Sequence, residues 1–168
     1  MQNVIQTAVL TAATLLTGLS AGLYYGFACA VMPGLRRCGD RTFVEAMQRI
    51  NTAILNGWFM LLFAGSLVLT AAAAVLRLTL GTGPVEVAPL VWTLAALLLY
   101  VAVLGITMGV NVPLNNRLEA GGLPHEEDEL AALRGHFENS WVRWNLIRAV
   151  CNTASFACLA LALRVPGS

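Results

Sequence analysis

The residues of this chain best suited to chemistry are polar side chains set in apolar surroundings. Asn145, Arg148 and Asn152 follow one another at spacings of three and four. One face of a helix therefore carries all three. Trp141 extends that face and Trp144 lies beside it. Asn111 and Asn115 frame the segment Asn-Val-Pro-Leu-Asn-Asn, and Asn51 and Asn56 stand at the start of another apolar stretch. Tyr24 and Tyr25 sit in the second half of the first. A cation flanked by amide donors can hold a developing oxyanion, and indole rings can stack on a flat aromatic ligand. The same residues also read as an interhelical hydrogen-bond cluster, with Arg148 capped by Glu119 or Glu138. The two readings share one constraint: an ionised group at membrane depth faces a bundle interior or a wet cavity.

Other chemistries lack their residues. The only histidines are His125 and His136, both between the third and fourth apolar stretches, so paired intramembrane His ligation of haem is excluded. His136 is the one plausible histidine base, with Glu138 as its substitute. No Asp or Glu lies inside an apolar stretch, which disfavours a proton-coupled transporter. Cys29, Cys38, Cys151 and Cys158 form neither a CxxC pair nor a zinc spacing. They are expected to be small buried hydrophobes. No Walker motif, GxGxxG or Ser-His-Asp spacing is present. No resident cofactor or metal is expected, although His136, Glu138 and residues of the first loop are free to meet in space.

The elements that must position these residues follow from composition. Of 168 residues, 58% are hydrophobic and 11% charged, against about 25% charged in soluble domains. Too little charge remains to wet a globule. Four apolar stretches run over about 4–32, 53–76, 87–112 and 141–163, each near the ~20 residues that cross a bilayer. Backbone amides in hydrocarbon must pair within their own segment, so these stretches are helices. The expected fold is all-α: a single domain over 1–168, a four-transmembrane-helix up-down bundle. Pro33-Gly34 is expected to end the first helix and Pro113 the third. Gly81, Gly83 and Pro84 predict a tight turn between helices two and three. In loop three, Pro124 precedes Glu126, Glu127, Asp128 and Glu129, and then Leu130, Leu133, Phe137 and Trp141 recur at helical spacing. That pattern predicts a short amphipathic helix on the membrane surface, running into helix four.

All ten basic residues are Arg. Eight of them lie in or beside loops one and three, and only Arg77 and Arg164 lie on the other side. The positive-inside rule then places loops one and three in the cytoplasm of a multi-pass cell-membrane protein. The Ala/Leu/Arg/Gly bias hints at a GC-rich bacterial genome. Nothing in the charge pattern recruits nucleic acid. Gly18, Gly22 and Gly26, and again Gly105 and Gly109, recur at fourth positions, which lets helices approach closely within a bundle or across a homodimer. Trp58 reads as an interfacial aromatic.

An Asn near the start of helix two, Asn111–Asn115 after helix three, and Phe-Glu-Asn-Ser-Trp-Val-Arg-Trp-Asn-Leu-Ile-Arg over residues 137–148 together resemble the anthrone-oxygenase-like membrane family. The resemblance spans nearly the whole chain, and residues 137–148 are its most specific part. It implies a four-helix membrane fold and, for some members, cofactor-independent oxidation of anthrones by O2. On that reading Arg148, His136 and Asn145 carry the chemistry, and Asn51, Asn111, Asn115, Trp141, Trp144, Tyr25 and Asn152 bind a hydrophobic substrate drawn from the bilayer. The competing expectation is a non-enzymatic membrane protein that binds a lipid or hydrophobic small molecule, or serves as a structural partner subunit.

Overall fold

A computed structural model describes residues 2–79 and 87–164. Of the tight turn expected over about 77–86, residues 77–79 are helical and the rest lie outside the described residues. The described residues form five helices and no strand. Helix α1 runs over Gln2–Gly26, continues through one π turn at Phe27–Val31, and closes with Met32–Leu35. Helix α2 spans Asp40–Ala53 and α3 spans Gly57–Thr79. Helix α4 runs over Val87–Ile106, a π turn at Thr107–Asn111, and Val112–Ala120. Helix α5 is Glu127–Arg164. By length and composition α1, α3, α4 and α5 can each cross a membrane, which marks a multi-pass membrane protein.

The two prolines do not end their helices. Proline lacks an N–H and its ring crowds the carbonyl four residues back, so an ordinary α-turn before it is strained. A wider π turn precedes each one. Met32 N–H bonds the Phe27 carbonyl and Val112 N–H bonds the Thr107 carbonyl, both five residues back. Pro33 and Pro113 then enter the first turn of the next α segment, where no N–H is needed. In hydrocarbon this is the cheaper solution, because a broken helix would leave backbone groups unpaired.

Two further expectations change. Most of loop one is helix α2, and Asn51 belongs to α2 rather than to the start of α3. Asn56 does open α3, its Oδ1 accepting the Trp58 and Phe59 N–H groups. The short amphipathic helix expected to run into the fourth span is one unbroken helix with it, as the first part of α5. That helix has 38 residues, roughly 57 Å at 1.5 Å per residue, nearly twice the ~30 Å hydrocarbon thickness. None of the four cysteines is fully buried and none is paired, because the outer faces of these helices can meet lipid and an apolar side chain need not turn inward. The glycine rows also divide. A Cβ on Gly18 would meet Phe156, whereas Gly22, Gly26, Gly105 and Gly109 have open space beside them.

Helix α1 packs between α3 and α5, and α4 packs between α5 and α3. Asn145 and Asn152 of α5 reach Tyr24 and Ser20 of α1, so these two helices run in opposite directions. At the end that holds the chain termini the core is built of small and medium side chains: Leu10, Ala13, Ala73, Ala96, Leu159 and Ala162. At the other end α2 lies across the helix ends. Its Phe43, Val44 and Met47 are completely buried against Met32, Leu118, Leu130, Phe137 and Trp141.

Helix α2 is stitched down by polar contacts. Gln48 Nε2 donates to the carbonyls of Leu118 (2.8 Å) and Gly122 (2.6 Å), the latter in a left-handed turn with φ 61° that suits glycine. Arg41 donates to the Pro124 carbonyl at 2.9 Å. Arg134 of α5 binds Glu138 Oε2 (2.7 Å), Asp40 Oδ1 (2.8 Å) and the carbonyls of Cys38 and Arg36, while Arg36 binds Glu138 Oε1 at 2.9 Å. Arg134 thus clamps the α1–α2 turn onto α5. Arg134→Ala should remove about 1–2 kcal/mol of stability, read as a lower melting midpoint in detergent. Arg36→Ala should cost less, because the Arg36 side chain is 58% exposed.

Candidate functional site

The π turn in α4 decides which side chains face inward at the α2 end. Thr107, Asn111, Asn115 and Glu119 are four residues apart. On an ideal α-helix that spacing drifts sideways by about 40° per step, and a π turn reduces the drift. All four line one cavity of about 260 Å³. Leu23, Tyr24 and Phe27 of α1 form its second wall, and Trp141, Asn145 and Arg148 of α5 its third. Ile50, Asn51 and Thr52 of α2 roof it, with Ile54, Leu55 and Phe59 at the α2–α3 corner.

Arg148 is the centre of this site and is only 5% exposed. Its Nη1 donates to Thr107 Oγ1 at 3.2 Å and its Nη2 to Asn145 Oδ1 at 3.1 Å, while Nε has no partner. The guanidinium carbon lies 4.6 Å from the centre of the Tyr24 ring and 5.6 Å from that of Trp141, so two ring faces carry part of the charge. Among the described residues no carboxylate pairs with it. Glu138, one of the two acids expected to cap Arg148, is held by Arg134 and Arg36. Glu119 stands twelve residues beyond Thr107 on α4, roughly 18 Å along the axis, at the exposed mouth.

The amides orient one another. Asn145 Nδ2 donates to the Tyr24 carbonyl at 3.1 Å, which turns its Oδ1 toward Arg148. Trp141 Nε1 donates to Asn115 Oδ1 at 2.8 Å, and Asn111 Nδ2 reaches the Trp141 carbonyl at 3.5 Å. That leaves Asn111 Oδ1, Asn51 Nδ2 and the Tyr24 hydroxyl buried without partners in cavity-lining residues, beside Arg148 Nε. Each unmet buried group costs about 1–3 kcal/mol. Two unmet donors, one unmet acceptor and a hydroxyl that can do either therefore await a polar ligand, within walls that are largely apolar and aromatic.

The structure brings together Asn51, Asn111, Asn115, Trp141, Asn145 and Arg148 of the residues expected from sequence. Four others lie elsewhere. Tyr25 is 62% exposed on the outer face of α1, and its neighbour Tyr24 takes the inner position. The inward series Leu10, Ala13, Thr17, Ser20, Tyr24 carries that phase in the sequence, and Tyr25 is out of step with it. Trp144 is half-buried and off the cavity. Asn152 is fully buried one turn deeper, with its Nδ2 on Ser20 Oγ at 2.9 Å. His136 is exposed on a separate groove. Thr107 was missed, although it continues the inward series Thr93, Ala96, Tyr100, Val103 of α4 at spacings of three and four. The described residues contain no group of three or more His, Cys, Asp or Glu able to hold a metal ion.

An uncompensated buried cation costs stability, so its removal has a signature. Arg148→Gln should leave the melting midpoint unchanged or raise it, while abolishing uptake of an anionic ligand. Thermal melting and ligand binding on the same detergent preparation check this pair of outcomes.

Comparison with known proteins places the chain in a family. A family model described as anthrone oxygenase matches residues 59–158, which takes in α3, α4 and most of α5 and leaves α1 and α2 outside. No curated protein matches the chain and no solved structure matches it. With more than half of its length matched, the chain belongs to the anthrone oxygenase family.

Proposed function

We propose that this chain is an up-down four-span membrane bundle that binds an anthrone-like phenolic ketone from the bilayer and promotes its oxidation by O2. The observation that carries this reading is Arg148: a buried guanidinium without a carboxylate, inside an apolar and aromatic cavity. Such a site asks for a flat hydrophobic ligand that bears negative charge. An anthrone has an acidic CH2 between two rings, and loss of one proton delocalises charge onto the ketone oxygen. Arg148 with Thr107 and Asn145 stabilises that oxyanion, and Trp141 and Tyr24 flank the rings. The enolate passes an electron to O2, and the net change is anthrone plus O2 to anthraquinone plus water.

The proton has no acceptor beside Arg148. His136 lies on another groove, Glu138 is engaged by two arginines, and Glu119 is too far along α4. The ligand therefore ionises to solvent, and the cavity acts by favouring its anion. Below the ionisation of the free substrate, kcat/KM should rise tenfold per pH unit, and a more acidic substituted anthrone should move the whole limb to lower pH. A limb fixed near the ordinary histidine range of about 6.5, whatever the substrate, would instead mean that a protein base operates.

Detergent-purified protein should consume O2 with anthrone faster than the uncatalysed background. Arg148→Ala should remove about 10²–10³-fold of that gain, the usual loss for a group that stabilises an oxyanion. Equal rates with and without protein would leave the second reading, a membrane protein that holds a hydrophobic acid without turning it over. The same absence of a base near Arg148 favours that alternative. The arginine distribution supports a cytoplasmic position for α2 and the α4–α5 connection. In intact bacteria, Cys38, near the start of α2, should resist an impermeant maleimide and react only after permeabilisation.

A further inference from the structure

A second groove of about 280 Å³ lies between the end of α4 and the first part of α5. Its floor is Leu118 and Phe137, both buried, and its walls are the partly buried Leu114 and Leu133. Its rim is Arg117 and His136, both exposed. Among the described residues Arg117 has no ion pair, and neither side chain has a hydrogen-bond partner. The position matters as much as the lining. The apolar stretches end at Val112 and begin again at Trp141, so Arg117 and His136 stand roughly 7 Å beyond the hydrocarbon edge. That is the depth of lipid headgroups, since the polar layers add about 5–8 Å on each side of the ~30 Å core. Arg143 lies seven residues from His136, on the same face of α5, exposed and also without an ion pair among the described residues.

We propose that this groove binds one anionic phospholipid, with its phosphate between Arg117 and His136 and the start of an acyl chain along Leu114 and Leu133. A trough that is apolar below and cationic at headgroup depth complements an anionic lipid better than a neutral one. This site is separate from the Arg148 cavity, shares no lining residue with it, and does not depend on the oxidation reading.

The full chain in mild detergent is incubated with equal amounts of phosphatidylglycerol and phosphatidylcholine, and the lipid retained after gel filtration is measured by mass spectrometry. Phosphatidylglycerol should be retained about fivefold over phosphatidylcholine, the factor supplied by one arginine near an anionic headgroup. Arg117→Gln combined with His136→Gln should bring the ratio to parity. Arg117→Lys and Arg37→Gln, the latter at an exposed arginine away from the groove, should keep the preference and show that the chain remains folded. Parity in the wild type, an unchanged ratio in the double variant, or displacement of the lipid by a tenfold excess of inorganic phosphate would each overturn the proposal.

Discussion

The architecture at one end of this protein follows from the need to keep the Arg148 guanidinium inside the bundle. Three devices meet there. Thr107 Oγ1 and Asn145 Oδ1 accept two of its N–H groups. The Tyr24 and Trp141 rings face it at 4.6 and 5.6 Å. The Asn145 amide is itself fixed by the Tyr24 carbonyl. None of these supplies a full negative charge. A buried cation held only by dipoles and ring faces is less favourable than one paired with a carboxylate, and the difference is what a bound anion can recover.

The surrounding structure serves that arrangement. The two π turns keep α1 and α4 continuous past Pro33 and Pro113, which places Tyr24 and Phe27 on one wall and Thr107, Asn111 and Asn115 on another. π turns inside α-helices concentrate at functional sites, and both of these border the cavity. Helix α2 closes the roof, and its hold depends on a different set of charges. Arg134, Glu138, Asp40 and Arg36 form a network outside the cavity, so the acids that might have neutralised Arg148 are used to clamp the roof instead. One arginine is fully compensated and the other is left waiting.

Functional inference rests on the difference between those two arginines. The chain belongs to the anthrone oxygenase family, and the matched segment omits α1 and α2 and hence Tyr24, Phe27 and Asn51. The cavity geometry adds what the family match does not contain: a lone cation, amides with unmet valences and no proton acceptor within reach of the cation. These features favour electrostatic stabilisation of an ionised ligand over acid–base catalysis.

Composition and hydropathy alone determine four membrane-competent helices, because an 11% charged chain cannot wet a globule and unpaired amides are intolerable in lipid. The three-then-four spacing of Asn145, Arg148 and Asn152 likewise places a polar face on the last helix before any coordinates are known. Tertiary structure decides what that face does. It sends Asn152 to Ser20 and Arg148 into the cavity, although the two are one turn apart. It selects Tyr24 over Tyr25 and takes His136 out of the site by helical phase. Pro33 and Pro113 read as terminators, since a local rule cannot know that a π turn will absorb each ring. Arg134 and Arg148 look alike along the chain. One finds acids on α2 and on its own helix, and the other finds none among the described residues, because partners distant in sequence are set only when the helices pack.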